Sequence, residues 1–230
     1  MVIEIARPYV QQLLGEGAQI VDVLEAREFA DSHLPGARSM PLPKLADEAP
    51  RLLDPAKPTV VYCYDSLCDL SPRGAHRLES LGFGEVYDYS ASKVDWLGAG
   101  LPFEGTRAQE PHLATLADST APTCTMDDRV EDARSGLIGY PFSVVVDGDG
   151  VVLGIAPSGS LANANGRVGA VMEESPKTFR PHVSAHEAVE TLEKSPRPWL
   201  LVTSLDGTLV GVADPDRVRA AARGHRSSAA

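Results

Sequence analysis

The stretch V-V-Y-C-Y-D-S-L-C-D-L-S-P-R-G-A-H-R-L-E-S-L, from Val60 to Leu81, decides how the rest of the chain is read. Val60, Val61 and Tyr62 end an apolar run that reads as a buried strand, and Cys63 stands where the run stops. Further on, Ser71 has the character of a helix N-cap and Pro72 fits the first helical position. Ala75, Leu78 and Leu81 then follow at helical spacing. The expected unit is strand, cysteine, loop, helix. The loop comprises Tyr64, Asp65, Ser66, Leu67, Cys68, Asp69 and Leu70, with Arg73 just beyond it. Its backbone N–H groups and the positive helix end are expected to converge on the Cys63 sulfur, which favours the thiolate and cradles an anion. The plain alternative is a small buried hydrophobe closing a strand, as most free cysteines are.

Outward from this stretch, helical and strand patterns alternate. Pro8 to Leu14 is amphipathic and stops at Gly15 and Gly17, and Ala18 to Leu24 is an apolar strand interrupted by Asp22. An acid inside such a run needs a partner or an exposed strand end. Glu25 to Ser32 reads as a short helix before the Pro35-Gly36 turn, Glu85 to Tyr89 as a strand and Lys93 to Ala99 as a helix. This alternation predicts an α/β layer with a parallel sheet. After Gly105 the composition turns polar, and residues 107–119 read as a linker. The second half repeats itself. F-S-V-V-V-D-G-D-G-V-V-L-G-I (Phe142 to Ile155) is echoed by W-L-L-V-T-S-L-D-G-T-L-V-G-V (Trp199 to Val212), with Asp149 and Asp206 standing 57 residues apart. Each copy is a strand, a D-G turn and a second strand, preceded by a helical pattern, so one supersecondary unit is duplicated. Residues 223–230 read as a flexible tail.

The net charge of −11 with no basic cluster argues against a nucleic-acid or anionic-membrane partner. Three scattered cysteines do not make a disulfide framework. No stretch approaches the roughly 18 apolar residues that cross a bilayer, and the opening M-V-I-E-I-A-R-P has no signal-peptide pattern. A cytoplasmic location is expected. No His/Cys/Asp/Glu set has metal-ligand spacing, so no metal is expected.

Residues 1–106 resemble a rhodanese-like domain, carried by V-D-V-x-E-x-x-E-F-x-x-x-H-L-P-G-A (Val21 to Ala37), V-V-Y-C, R-L-E-S-L-G-F (Arg77 to Phe83) and W-L-G-A-G-L-P (Trp96 to Pro102). The resemblance implies a parallel sheet with flanking helices and a cysteine that accepts sulfur as a persulfide and passes it to a thiol acceptor. Cys63 inherits that role, with a small-molecule or protein sulfur donor as partner. The loop is longer than the family's usual one. Asp65 and Asp69 place negative charge in it, which favours an organic or protein persulfide over thiosulfate. The related cysteine phosphatases would need an arginine where Leu70 stands. Cys68 reads as a plug in the enlarged loop, as a resolving or redox partner of Cys63, or, since C-D-L-S-P-R spaces it from Arg73 as a shorter loop would, as the nucleophile itself. Two readings rival a transferase: a binding module without activity, and a Cys63/Cys68 thiol redox protein. Asp22 is expected to tether a neighbouring loop and His33 to hold its turn.

Residues 120–222 resemble a pair of cystathionine-β-synthase (CBS) domains, through the duplicated hairpin and V-M-E-E-S-P-K-T-F-R-P-H-V-S-A-H-E-A-V-E-T-L (Val171 to Leu192), whose helix is capped near Ser184. The resemblance implies an α+β pair that regulates or dimerises, and in relatives an adenine nucleotide or S-adenosylmethionine between repeats. Here Pro157 and Ser160, and Asp214 and Arg217, stand where relatives carry the Thr and the ribose-binding Asp. Packing or homodimerisation is therefore expected before nucleotide binding.

Overall fold

The computed structural model of the chain describes residues 1–174 and 176–228. It divides into two compact units, residues 1–109 and residue 110 onward. The first runs β1 (Ile3–Glu4), α1 (Arg7–Gly15), β2 (Gln19–Asp22), α2 (Ala26–Asp31), β3 (Arg38–Ser39), α3 (Leu42–Leu52), β4 (Thr59–Tyr62), α4 (Leu70–Ser80), β5 (Val86–Tyr89) and α5 (Ser92–Gly98). Its sheet has the order β1-β5-β4-β2-β3 with every pairing parallel. Strands covered on both faces carry apolar residues continuously, and every residue of β4 and β5 is buried.

The pleat sorts those residues between two cores. Val61 and Cys63 pack with Val21, Val23, Leu45 and Leu78 on the face covered by α3 and α4. Val60 and Tyr62 pack with Ile20, Val10, Leu13 and Trp96 on the face covered by α1 and α5. The helix α4 sits close to the sheet because Gly74 faces it. A Cβ there would stand 3.0 Å from Val23 Cγ1 and 3.2 Å from Val61 Cγ1.

One local expectation, Ser71 as N-cap, needs correction in this unit, and two elements, α3 and β1, form where no local pattern signals them. The helix α4 starts at Leu70, so Asp69, not Ser71, is its N-cap residue. Ser71 is buried in the first turn beside Asp88 of β5, and Pro72 is tolerated there because first-turn N–H groups have no intrahelical partner. Prolines at 41, 43 and 50 argue against a helix between them, yet α3 forms. Pro43 falls in its first turn, and Leu45 and Ala49 bury against the sheet. The strand β1, too short for a periodic pattern, pairs with β5.

The second unit runs α6 (Leu113–Leu116), β6 (Thr123–Cys124), α7 (Val130–Ser135), β7 (Phe142–Val146), β8 (Val152–Pro157), α8 (Ser158–Ala162), β9 (Glu173–Glu174), β10 (Thr178–Phe179), α9 (Ala185–Lys194), β11 (Leu200–Thr203), β12 (Leu209–Ala213) and α10 (Pro215–Ser228). The sequence echo becomes two sheets, β6-β7-β8-β9 and β10-β11-β12. Each contains an antiparallel hairpin whose turn places a glycine at positive φ, Gly150 at 82° and Gly207 at 88°. Ser184 caps α9 in a reciprocal box with Glu187.

The segment ahead of each repeat docks on the other repeat. Ahead of the first, Leu113 N–H donates to Val183 O (2.9 Å), and Asp118 exchanges both backbone hydrogen bonds with Val212 of β12. Ahead of the second, Gly169 N–H donates to Met126 O (2.9 Å) and β9 pairs with β8. Residues 110–119, expected as linker, are therefore structural, and Leu113 and Leu116 are buried with Leu192, Leu200 and Val218. Likewise α10 continues through residues 223–228, expected as tail, while residues 229 and 230 lie outside the described residues, as does Ser175. Among the described residues no helix is long and apolar enough to cross a membrane.

Candidate active site

The site is built at the carboxyl end of β4, the central strand, where open parallel sheets hold their ligands. Cys63 is fully buried there. Its backbone is fastened from α5: Cys63 N–H donates to Ser92 Oγ (3.0 Å), Lys93 N–H to Cys63 O (3.3 Å) and Val94 N–H to Tyr64 O (2.9 Å). Ser92 alone among the described non-glycine residues has a positive φ, 58°, a conformation that costs about 1 kcal/mol or more for a residue with a Cβ. Its hydroxyl lies 2.9 Å from Tyr89 O and 3.6 Å from Cys63 Sγ.

Around the sulfur the loop is arranged differently from the expected cradle. The Cys63 thiol faces two carbonyl oxygens, Cys68 O at 3.4 Å and Asp65 O at 3.8 Å. The nearby amides are spent within the loop, since Leu67 N–H donates to Asp65 Oδ1 (3.0 Å) and Cys68 N–H to Asp65 O (3.2 Å). The Tyr64 and Leu70 amides act on the Cys68 sulfur, which also interacts with the Cys63 thiol. Burial, and next the contact with Cys63, raise the Cys68 thiol above its ordinary value, against the pull of those two amides. The two sulfurs are thus neighbours, and both cysteines are free thiols. Tyr64, Ser66, Leu67 and Asp69 are exposed, Leu70 packs beneath, and Arg73 lies on the outer helix face 3.5 Å from Asp69.

Behind the loop, on the opposite face of the sheet, lies a buried ionic network. Asp22 Oδ1 accepts from Leu24 N–H (2.9 Å), and Oδ2 is 3.4 Å from Lys93 Nζ, which also donates to Glu28 O (3.1 Å). Tyr62, beside Asp22 in register, accepts from Leu34 N–H (3.0 Å). Burial raises the Asp22 carboxyl and the Lys93 charge opposes this. Burial and the neighbouring carboxylate push the Tyr62 phenol well above its usual range. Asp22 therefore tethers the chain after β2, and through consecutive Ser92 and Lys93 it is linked to the backbone of Cys63. His33 holds its turn through Phe29 O (2.8 Å), stacks on Phe29 and pairs with Glu104 at 3.3 Å. No group of three or more described His, Cys, Asp or Glu side chains could hold a metal.

Ser92 and Lys93 are the functional residues that the sequence pattern does not single out. The demand was visible in Asp22, an acid inside a strand, but nothing in the sequence says which lysine answers it. Ser92 yields a test of its own. Ser92→Ala keeps the left-handed strain and loses the hydrogen bond from Cys63 N–H, so it is expected to cost about 1–3 kcal/mol. Ser92→Gly loses the same bond but relieves the strain, and urea titration should place it between Ser92→Ala and the parent.

A family model described as rhodanese-like domain matches residues 7–99. "Thiosulfate sulfurtransferase GlpE" of Pseudomonas putida is 35% identical over 81 residues, 35% of this chain and 71% of that protein. "Uncharacterized protein YqhL" of Bacillus subtilis is also 35% identical over 81 residues, and the chain spans 62% of its length. Among solved structures, the rhodanese-like domain of Anabaena Alr3790 is 26% identical, with 46% of this chain and 80% of that one covered at a TM-score of 0.42. The CBS-pair protein CBSX2 from Arabidopsis thaliana is 20% identical, with 51% and 98% covered at a TM-score of 0.44.

Proposed function

The chain belongs to the rhodanese-like family, and on that premise we propose that its first unit is a sulfurtransferase carrying sulfane sulfur as a persulfide on Cys63. The observation that carries this reading is the placement of Cys63 at the carboxyl end of the central parallel strand, next to a second thiol. The donor is a small organic persulfide with an anionic end. Asp65 and Asp69 in the loop repel a compact dianion such as thiosulfate. Arg73 and Arg77, with Leu42 and Pro43, line a cleft of about 340 Å³ on the same side of the sheet, and Leu42 packs against the cluster that holds Cys63 and Cys68. Among the described residues none forms an ion pair with the Arg77 guanidinium. The acceptor is a thiol.

One contact favours a second reading. The proximity of the Cys63 and Cys68 thiols suits a dithiol that closes to a disulfide, as a redox protein would. Mass spectrometry after incubation with a low-molecular-weight persulfide separates the two. A gain of about 32 Da, one sulfur atom, located on Cys63 in the parent protein by tandem mass spectrometry supports transfer. Loss of two hydrogens that needs both cysteines, without a sulfur adduct, supports the redox protein.

For the second unit we propose a CBS pair that regulates or dimerises. What supports it is the internal duplication with exchanged leading segments. A cleft of about 250 Å³ beside Trp199, Phe142, Arg197 and Lys177 offers an aromatic wall and two cations. The ribose-binding acid has no counterpart in register, since Ser160 and Arg217 stand at its positions and Asp214, at the Thr position, caps α10 through the N–H groups of Asp216 (2.6 Å) and Arg217 (3.2 Å). The reading therefore includes no nucleotide cofactor.

A further inference from the structure

Cys63, the expected sulfur carrier, has a fully buried residue surface, and its thiol faces backbone carbonyls. A donor cannot meet it directly in this arrangement, and a new anion on it would lie against the negative ends of two C=O dipoles. Cys68 has the complementary properties. It is partly exposed, lies two residues ahead of α4, and its sulfur receives the N–H groups of Tyr64 and Leu70. An anion needs donors of that kind. The Cys63 sulfur lies 3.4 Å from Cys68 O and interacts with the Cys68 thiol, so a group placed on one is within reach of the other.

We propose that Cys68 is the entry thiol of a two-cysteine sulfur relay, accepting sulfur from an organic persulfide at the loop surface and handing it inward to Cys63. This rests on Cys63 being the final carrier. In the first step the Cys68 thiolate attacks the outer sulfur of R–S–SH. A Cys68–sulfur bond forms, the donor's S–S bond breaks, and R–S⁻ leaves and is protonated. In the second step the Cys63 sulfur attacks the terminal sulfur of the Cys68 persulfide. The Cys63–sulfur bond forms as the Cys68–sulfur bond breaks, and the Cys63 proton passes to the departing Cys68 sulfur. No electrons are gained or lost overall, and Cys68 returns as a thiol. The Tyr64 and Leu70 amides hold the negative charge during the first step, when the sulfur is at the mouth of the loop.

The relay also accounts for both departures of this loop from the family pattern. The added length is what brings a second cysteine back over the first. The acid Asp65, unfavourable toward an anionic donor, instead folds the loop by accepting from Leu67 N–H through its side chain and from Cys68 N–H through its backbone carbonyl.

Two measurements on the full chain test it. In the first, glutathione persulfide is mixed with the parent, Cys63→Ser and Cys68→Ser proteins, and the position of the added sulfur is read by tandem mass spectrometry against time. The relay predicts sulfur on Cys63 in the parent, sulfur trapped on Cys68 in Cys63→Ser, and labelling of Cys63 slowed at least about tenfold in Cys68→Ser. Equal rates in the parent and Cys68→Ser overturn the relay and leave Cys63 as the direct acceptor. A disulfide with released sulfide overturns it in favour of reductive resolution. No sulfur on any of the three proteins overturns the transferase reading itself, and the relay with it. The second measurement needs no variant and no sulfur donor. Iodoacetamide should alkylate Cys68 at least about tenfold faster than Cys63 in the folded parent, with the Cys68 rate rising as pH increases toward its raised value. Equal rates, or a faster Cys63, would remove the basis for an entry thiol.

Discussion

Lys93→Met is expected to destabilise the first unit by about 3–5 kcal/mol, because it leaves the fully buried Asp22 carboxylate without its cation. The methionine side chain fills nearly the same volume, so the loss is electrostatic rather than a cavity. The chain has two tryptophans, Trp96 in the first unit and Trp199 in the second, so fluorescence in a Trp199→Phe background follows the first unit alone during urea unfolding. The double variant Asp22→Asn/Lys93→Met should recover much of the loss, giving a coupling well above that of distant sites. Additive losses below about 1 kcal/mol each would show that the pair is not a structural unit. The deficit also has a defined pH dependence. Burial already raises the Asp22 carboxyl, and Lys93 opposes that rise. Without Lys93 the folded-state value climbs further above the unfolded one, so the folded state binds a proton that the unfolded state releases. Stability is then regained as pH falls through the folded-state value, and the deficit should be smaller at about pH 5 than at about pH 8.

Gly211→Val and Gly154→Val are the second pair of large effects, this time in the second unit. A Cβ on Gly211 would stand 2.6 Å from Asp118 O, and one on Gly154 would stand 2.6 Å from Glu173 O. Asp118 and Glu173 belong to the two exchanged leading segments, so the glycines mark where each repeat receives backbone from ahead of the other. Neither carbonyl can yield without breaking the pairing of Asp118 with Val212 or of β9 with β8. Each substitution is expected to cost about 3 kcal/mol, the upper end for overpacking, with Trp199 fluorescence unfolding at lower urea. Gly159→Ala in α8 meets nothing within 4 Å and should leave the midpoint unchanged or slightly raised. If the valine variants behaved like Gly159→Ala, the exchange of segments would contribute nothing to the unit.

Much of this architecture is legible in one dimension because it is dictated by local rules. The continuous apolar run at Val60–Tyr62, the glycine and proline punctuation around it, the D-G turns and the duplicated hairpins each carry their own signal. Periodicity, capping and turn chemistry act over a few residues, and these residues obey them. The cysteine at the strand end follows from the same pattern, and so does the requirement that Asp22 have a partner.

The rest depended on contacts that no short window contains. Leu113 and Leu116 look like the sparse apolar residues of a linker, and only the exchange of leading segments gives them a core to enter. Ser71 has the chemistry of a cap, but the chain enters α4 earlier and buries it. The helix at Leu42–Leu52 survives its prolines because tertiary burial outweighs a weak local preference. Above all, sequence placed Cys63 and Cys68 in one loop but could not orient their neighbours. Whether a sulfur meets amides or carbonyls depends on how the peptide planes turn, and here Asp65 turns them. By itself the sequence determined a strand, a cysteine and a helix, with a second thiol five residues on. Only the folded loop decided that the amides serve Cys68 and the carbonyls Cys63, because peptide orientation is set by hydrogen bonds across the loop rather than by residue type.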